Sequence, residues 1–248
     1  MSLREEIEKQ GNWLFRYRGY IPLLLLPLVI VALKDSEFLE KHFGDSIDDT
    51  WEIFCLGISF FGLFIRCITI GYVPKGTSGR NTDQQRADRL NTTGMYSIVR
   101  HPLYLGNFLI MLGIMMFTQV GWIVLISVLA FWLYYERIIF AEEEFLRKKY
   151  GGIFVEWAER TPAFFPALRR WQRPELPFSF RTVLRREYTG LFVITLSFTA
   201  LEVVGDIIAD GRVEMDTEWI AFFTAGLIFY LSLRTLKKKT GFLDVEGR

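Results

Sequence analysis

Between Tyr96 and Gly106 the chain reads Tyr-Ser-Ile-Val-Arg-His-Pro-Leu-Tyr-Leu-Gly, and Glu142, Glu143 and Glu144 stand side by side further on. Arg100 and His101, the latter one of only two histidines, set a fixed cation and a titratable ring just ahead of an apolar run. Pro102 suits the first turn of a helix, where its missing N–H costs nothing, and a helix start beside an arginine favours an anion. The chemistry to expect is recognition of a negatively charged group at a membrane edge. Three adjacent glutamates are costly near hydrocarbon, although on a solvated helix they would simply pair with Arg147 and Lys148. On the same membrane face as Arg100 and His101 they form an ionisable cluster of the kind that marks function. Arg137 and Glu142, five apart, are separated by about 140° around a helix.

The elements that must hold these residues are membrane spans. The chain has 248 residues, 51% hydrophobic and 16% aromatic, with mean hydropathy +0.23. The apolar residues fall in blocks, and a bilayer core needs roughly 20 such residues per helix. Six stretches come close: Tyr20–Leu33, Trp51–Val73, Leu103–Phe117, Trp122–Phe140, Tyr188–Ala209 and Trp219–Leu233. The first and third are short, and Pro22 and Pro27 predict a kinked or half-inserted first span. No cleavable signal peptide is expected, because the first nineteen residues mix acids and bases and no small-residue cleavage site follows the apolar run.

The net charge of +1 hides an alternation of Lys and Arg between the spans. The N-terminus has four, the first loop two against six acids, and the Pro74–Arg100 loop five. The turn near Gly121 has none, Glu136–Glu187 eleven, the last loop one against four acids, and the tail from Arg234 five. The positive-inside rule then predicts an all-α polytopic membrane protein of about six spans with both termini cytoplasmic. Arg100-His101 and the glutamates share that cytoplasmic face, on the inner membrane if the organism is bacterial.

Three segments follow: residues 1–50 with the first span, a core at 51–166, and a 167–248 segment with an interfacial linker and two further spans. The polar stretch Pro74–Gly94 is long enough to cover a site or merely to connect. Residues 141–159 continue a helical pattern past span four, interrupted at Gly151-Gly152, as an interfacial amphipathic pair. Trp171–Arg186 reads as further interfacial material. Arg66 reads as a snorkelling side chain in preference to a cavity-lining one, Glu202 as similar, and His42 has no expected role. Cys55 and Cys67, twelve apart on one helix, are about 18 Å apart by helical rise and cannot bridge. No metal pattern, Rossmann fingerprint, Walker loop or hydrolase elbow is present.

Two motifs resemble the isoprenylcysteine carboxyl methyltransferase and phospholipid methyltransferase family of integral membrane enzymes. One is Thr93-Gly94-Met95-Tyr96 with Arg100-His101-Pro102-Leu103-Tyr104-Leu105-Gly106; the other is Glu142-Glu143, Leu146, Tyr150-Gly151, Phe154, Trp157 and Thr161-Pro162-Ala163-Phe164-Phe165-Pro166. The resemblance implies methyl transfer from S-adenosylmethionine to a lipid or lipidated acceptor, with no nucleic-acid partner. It implies a cofactor site of Tyr96, His101, Pro102, Tyr104, Gly106 and Glu142 or Glu143, and a reaction centre shaped by Arg100, Arg137 and the glutamates Glu142 and Glu143. An anionic oxygen acceptor needs no general base, and an arginine can hold it by charge-assisted hydrogen bonds. Trp157 replaces a usual tyrosine, Thr-Pro-Ala a usual Val-Pro-Arg, and two extra spans follow Pro166, so the acceptor is less defined than the reaction. Lys75, Arg80, Arg86 and Arg89 suit a phosphate head group, and their loop is similar to that of bacterial lipid A phosphate methyltransferases. The alternatives are N-methylation of an amine head group such as phosphatidylethanolamine, an NADPH-dependent sterol-type reductase with a related Arg-His-Pro signature, and a scaffold without activity.

Overall fold

The computed structural model describes residues 2–36, 38–77, 85–209, 211 and 216–248, and among these there is no strand. Helix α1 (Leu3–Arg16) is amphipathic and opens with a capping box between Ser2 and Glu5. After a short 3-10 turn (Ile21–Leu25) come α2 (Leu26–Ala32), α3 (Phe38–Phe43) and α4 (Asp45–Tyr72). Then follow α5 (Met95–Ile98), α6 (Pro102–Phe117), α7 (Gly121–Tyr150), α8 (Gly152–Arg160), α9 (Phe180–Ala209) and α10 (Thr217–Lys239).

The chain is a polytopic helical membrane protein. Among the described residues four helices, α4, α7, α9 and α10, are long and apolar enough to cross a bilayer. The count is five if α1 and the segment Ile21–Asp35, bent by 89° from each other, are one broken span. The break falls between Arg16 and Ile21, ahead of both prolines, which sit instead in the opening turns of the short helices they begin. The expected sixth span is α6, whose sixteen residues rise only about 24 Å against a hydrocarbon core of about 30 Å. It lies against α4, so protein rather than lipid covers much of it.

Small residues set that crossing. A Cβ on Gly106 would stand 2.7 Å from the Gly62 carbonyl oxygen, and one on Gly113 would stand 2.4 Å from that of Cys55. The two backbones therefore touch, as small residues allow in membrane helix pairs. Beside this seam Leu63, Phe117, Ile194, Phe198 and Trp219 form the main core, binding α9 and α10 to α4 and α6. Phe54, Phe61, Leu125, Leu129, Ile228 and Leu231 stay exposed, presenting an apolar exterior suited to lipid.

Helix α7 runs unbroken from the apolar region through the glutamates, and its thirty residues rise about 45 Å, well beyond the bilayer core. It stops at Gly151, whose φ of +56° is the left-handed turn that favours glycine, and α8 follows at once. Gly11 lets α1 lie flush on this end of α7, since a Cβ there would fall 2.1 Å from the Arg137 carbonyl oxygen. Arg4 to Glu144 and Lys148 to Glu8, each at 2.5 Å, fasten the pair.

Candidate active site

The Arg100-His101 segment is held from outside by the chain that follows α8. The backbone N–H of Arg100 donates to the Pro162 carbonyl at 2.9 Å, and that of Ala167 donates to Ile98 at 2.9 Å. The Trp157 indole N–H reaches the Tyr96 carbonyl at 3.1 Å. Phe164 wedges between Phe108 and Trp132, with ring centres 5.9 and 5.5 Å away. The second motif thus acts as a strap over the first. His101 stands at the N-cap position of α6, its ring turned to Glu143 and not capping the helix, and Pro102 occupies the first turn, as the sequence predicts.

Five side chains meet beneath the strap. Arg100 Nη1 donates to the Glu143 carboxylate at 2.8 Å, and His101 Nε2 donates to the same group at 2.9 Å. The Tyr104 hydroxyl donates to Glu142 at 2.7 Å, and its ring stacks on His101 with centres 5.8 Å apart and planes 14° from parallel. Adjacent positions on α7 are 100° apart, so Glu143 faces Arg100 and His101 Nε2 while Glu142 faces Tyr104, with His101 Nδ1 3.8 Å from its carboxylate. Arg100 Nε is buried with no partner among the described residues, a donor with capacity left for a ligand.

This cluster heads a cavity of about 1250 Å³. Its polar end includes Arg100, His101, Tyr104 and Glu142, and Arg18 joins them from the chain after α1. Beyond lie Leu25, Ile110, Ile114, Val193 and Leu201, and along α9 the lining runs from Arg186 to Val204, about 27 Å by helical rise. A single small-molecule site occupies roughly 300–1,000 Å³, so this space can take a polar ligand and a long apolar one together.

Other expected site residues are placed differently. Tyr96 and Pro102 line the cavity. Gly106 does not; it faces Gly62 and Arg66 in the α4–α6 seam, and its smallness serves helix packing. Arg137 is not brought to the cluster. Six positions before Glu143 it points to another side of α7, where its guanidinium donates to Gln10 of α1 at 3.0 Å and to the Leu133 carbonyl at 3.0 Å. Glu144 likewise turns to Arg4. Arg86 and Arg89 reach the cavity mouth already paired, Arg86 with Asp88 at 3.0 Å and Arg89 with Glu175 at 2.5 Å. The hydrogen bonds from Arg86 hold the Asp88 carboxyl below its ordinary range. Lys75 is exposed away from the cavity lining, and Arg80 lies outside the described residues.

Sequence reasoning missed Arg18, Asn107, Tyr135 and Glu187, and for Arg66 it preferred snorkelling over the cavity-lining role the structure shows. That arginine does not snorkel. It turns inward to the cavity and makes a bidentate pair with Glu187, Nε and Nη2 donating at 2.8 and 2.9 Å. The available signal was a basic residue inside an apolar span; the acidic partner lay 121 positions away.

The fold is that of a helical membrane protein in which a charged cluster opens into a large, mostly apolar cavity. A profile described as phospholipid methyltransferase matches residues 53–152. The chain is 32% identical over 172 residues, 68% of its length and 75% of the relative's, to the nickel-cobalt-cadmium resistance protein NccN of Alcaligenes xylosoxydans xylosoxydans. It is 33% identical over 159 residues, 63% of its length and 67% of the relative's, to the cobalt-zinc-cadmium resistance protein CzcN of Cupriavidus metallidurans. It is 25% identical over 165 residues, 64% of its length and 68% of the relative's, to the protein-S-isoprenylcysteine O-methyltransferase of Schizosaccharomyces pombe. No solved structure matches. The chain belongs to the isoprenylcysteine carboxyl methyltransferase and phospholipid methyltransferase family of integral membrane methyltransferases.

Proposed function

We propose that this protein is an S-adenosylmethionine-dependent O-methyltransferase whose acceptor is a carboxylate or phosphate at the head of a membrane lipid or lipidated molecule. The observation that carries this reading is a cavity that joins Arg100, His101, Tyr104 and Glu142 to an apolar channel. The cluster fits the amino-acid end of the cofactor. Glu142 offers a carboxylate for its ammonium group, and the unpartnered Nε of Arg100 offers a donor for its carboxylate. When bound, S-adenosylmethionine would supply an electrophilic methyl carbon on cationic sulfur, with the thioether as the leaving group for an attacking acceptor oxygen.

The residues of the chain align the partners and place charge, which is where such a displacement gains most. Glu143 ties Arg100 and His101 to one carboxylate, and the strap over Tyr96 and Arg100 keeps them there. Stacked Tyr104 and His101 wall the polar end against the apolar channel. Arg18 and Arg100 supply the positive field that draws an anionic oxygen to the head of the cavity. The excess of Lys and Arg in the Glu136–Glu187 segment supports placing this end on the cytoplasmic side, where the cofactor is made.

A phospholipid phosphate, a prenylcysteine carboxylate and a lipid A phosphate all satisfy this acceptor description. Methylation removes one negative charge from such a group, and with it a site for divalent cations. That consequence agrees with the metal-resistance names of two relatives. The test is transfer of labelled methyl from S-adenosylmethionine to a total lipid extract by the detergent-purified protein, with the product identified by mass spectrometry. Arg100→Ala and Glu142→Ala are expected to abolish transfer; full activity in both would overturn the site assignment, and no labelled lipid from the unaltered protein would overturn the activity.

A further inference from the structure

The cavity contains a second polar station that methyl transfer itself does not require. It is assembled from four helices: Arg66 of α4, Asn107 of α6, Tyr135 of α7 and Glu187 of α9, all lining the same space. Arg66 Nη1 donates to the Asn107 carbonyl at 2.5 Å while its Nε and Nη2 hold Glu187. Asn107 Nδ2 then donates to the Tyr135 hydroxyl at 3.0 Å. The side chains of Arg66 and Glu187 are only 15% and 4% exposed. Burying such a pair costs several kcal/mol of lost hydration per ion, and plain apolar packing would join the helices without that cost.

An inventory of donors indicates what the station binds. A guanidinium has five N–H groups, of which Arg66 uses three, and a phenol that accepts one hydrogen bond still has its own proton to give. The one carboxylate is spent on Arg66. On the same wall the Tyr134 hydroxyl and, two turns further, the Ser127 hydroxyl are buried without a partner among the described residues, and Ser127 is 0% exposed. The station therefore presents donors in excess and fits a ligand bearing uncharged acceptor oxygens. Asn107 lies six positions beyond His101, about 9 Å deeper by helical rise, and the lining past it turns apolar at Ile110 and Ile114.

Charged cluster, donor belt and apolar channel follow one another as head group, carbonyl and hydrocarbon do in an acyl lipid. A prenyl thioether has no oxygen at that depth. We propose that Arg66, Asn107 and Tyr135 form a carbonyl-reading subsite that selects acceptors with ester or amide carbonyls below the methylated group, and that Glu187 is the positioning residue that fixes the plane of Arg66. The proposal rests on the reading that the acceptor occupies this cavity. Glu187 comes from the C-terminal helices, outside the stretch that matches the family profile, so the extra helices supply selectivity.

The experiment compares equilibrium binding of two phosphatidic acids, one diacyl and one dialkyl ether of equal chain length, to the full chain in detergent. The diester should bind about tenfold or more tightly, the weight of a hydrogen bond to a charged donor. Arg66→Gln combined with Glu187→Gln, which orphans neither charge, should bind both lipids at the diether level while still binding S-adenosylmethionine. Tyr135→Phe, which removes one hydroxyl, should narrow the preference and serves if the double variant does not fold. Equal binding of the two lipids by the unaltered protein, or a preference that survives these substitutions, overturns the subsite. Methyl transfer is assayed separately, so its absence with the ester preference intact would count against the methyltransferase reading alone.

Discussion

Replacing Glu143 by glutamine tests whether the cluster works as an aligned unit. The Glu143 carboxylate accepts from Arg100 at 2.8 Å and from His101 at 2.9 Å, and the side chains of the three are only 20%, 19% and 7% exposed. Glutamine keeps one acceptor oxygen but turns an NH₂ toward the other donor, so one charge-assisted bond is lost. Such a bond contributes about 1.5–3 kcal/mol. If that energy holds Arg100 and His101 in the reactive arrangement, single-turnover methyl transfer should fall about 10- to 150-fold. Thermal unfolding followed by tryptophan fluorescence should shift down by roughly 3–12 °C for a chain of this size. Glu144→Gln is the matched control, because its carboxylate pairs with the 61% exposed Arg4 away from the cavity; its turnover should stay within about threefold, the scale of an exposed ion pair. Unchanged turnover and melting in Glu143→Gln, or an equal loss in Glu144→Gln, would refute the reasoning.

Gly62→Ala and Gly106→Ala should each lower the melting temperature, since the new Cβ would stand 2.6 and 2.7 Å from a backbone oxygen across the α4–α6 seam. The cost is about 1–3 kcal/mol of overpacking, whereas Gly57→Ala, with nothing within 4 Å, should be neutral or stabilising in the same measurement. Arg137→Gln should retain methyl transfer within about threefold, because its partners are Gln10 and the Leu133 carbonyl; a loss comparable to that of Arg100→Ala would return Arg137 to the reaction centre.

Much of the architecture was legible in the chain because hydrophobic blocks and proline or glycine punctuation act locally. The blocks around Trp51, Trp122, Tyr188 and Trp219 became the four long helices, Pro102 opened α6, and Gly151 closed α7. Length was the weaker signal: the Leu103–Phe117 stretch is short in the sequence, and α6 stays at sixteen residues, packed against α4. The 171–186 region also divides differently from its interfacial reading, since α9 already begins at Phe180.

The sequence by itself determined the helical membrane class, the helix start at Pro102 and the two charged motifs, because residue type and spacing are sufficient for these. Only the tertiary structure decided which charges meet. It set Glu143 on Arg100 and His101, turned Arg137 away to α1, and joined Arg66 to Glu187 across 121 positions. The physical reason is that the partner of a buried charge is fixed by helix rotation and by the depth of a crossing, here set by Gly62 and Gly106. Neither quantity is written in the neighbourhood of the residue itself.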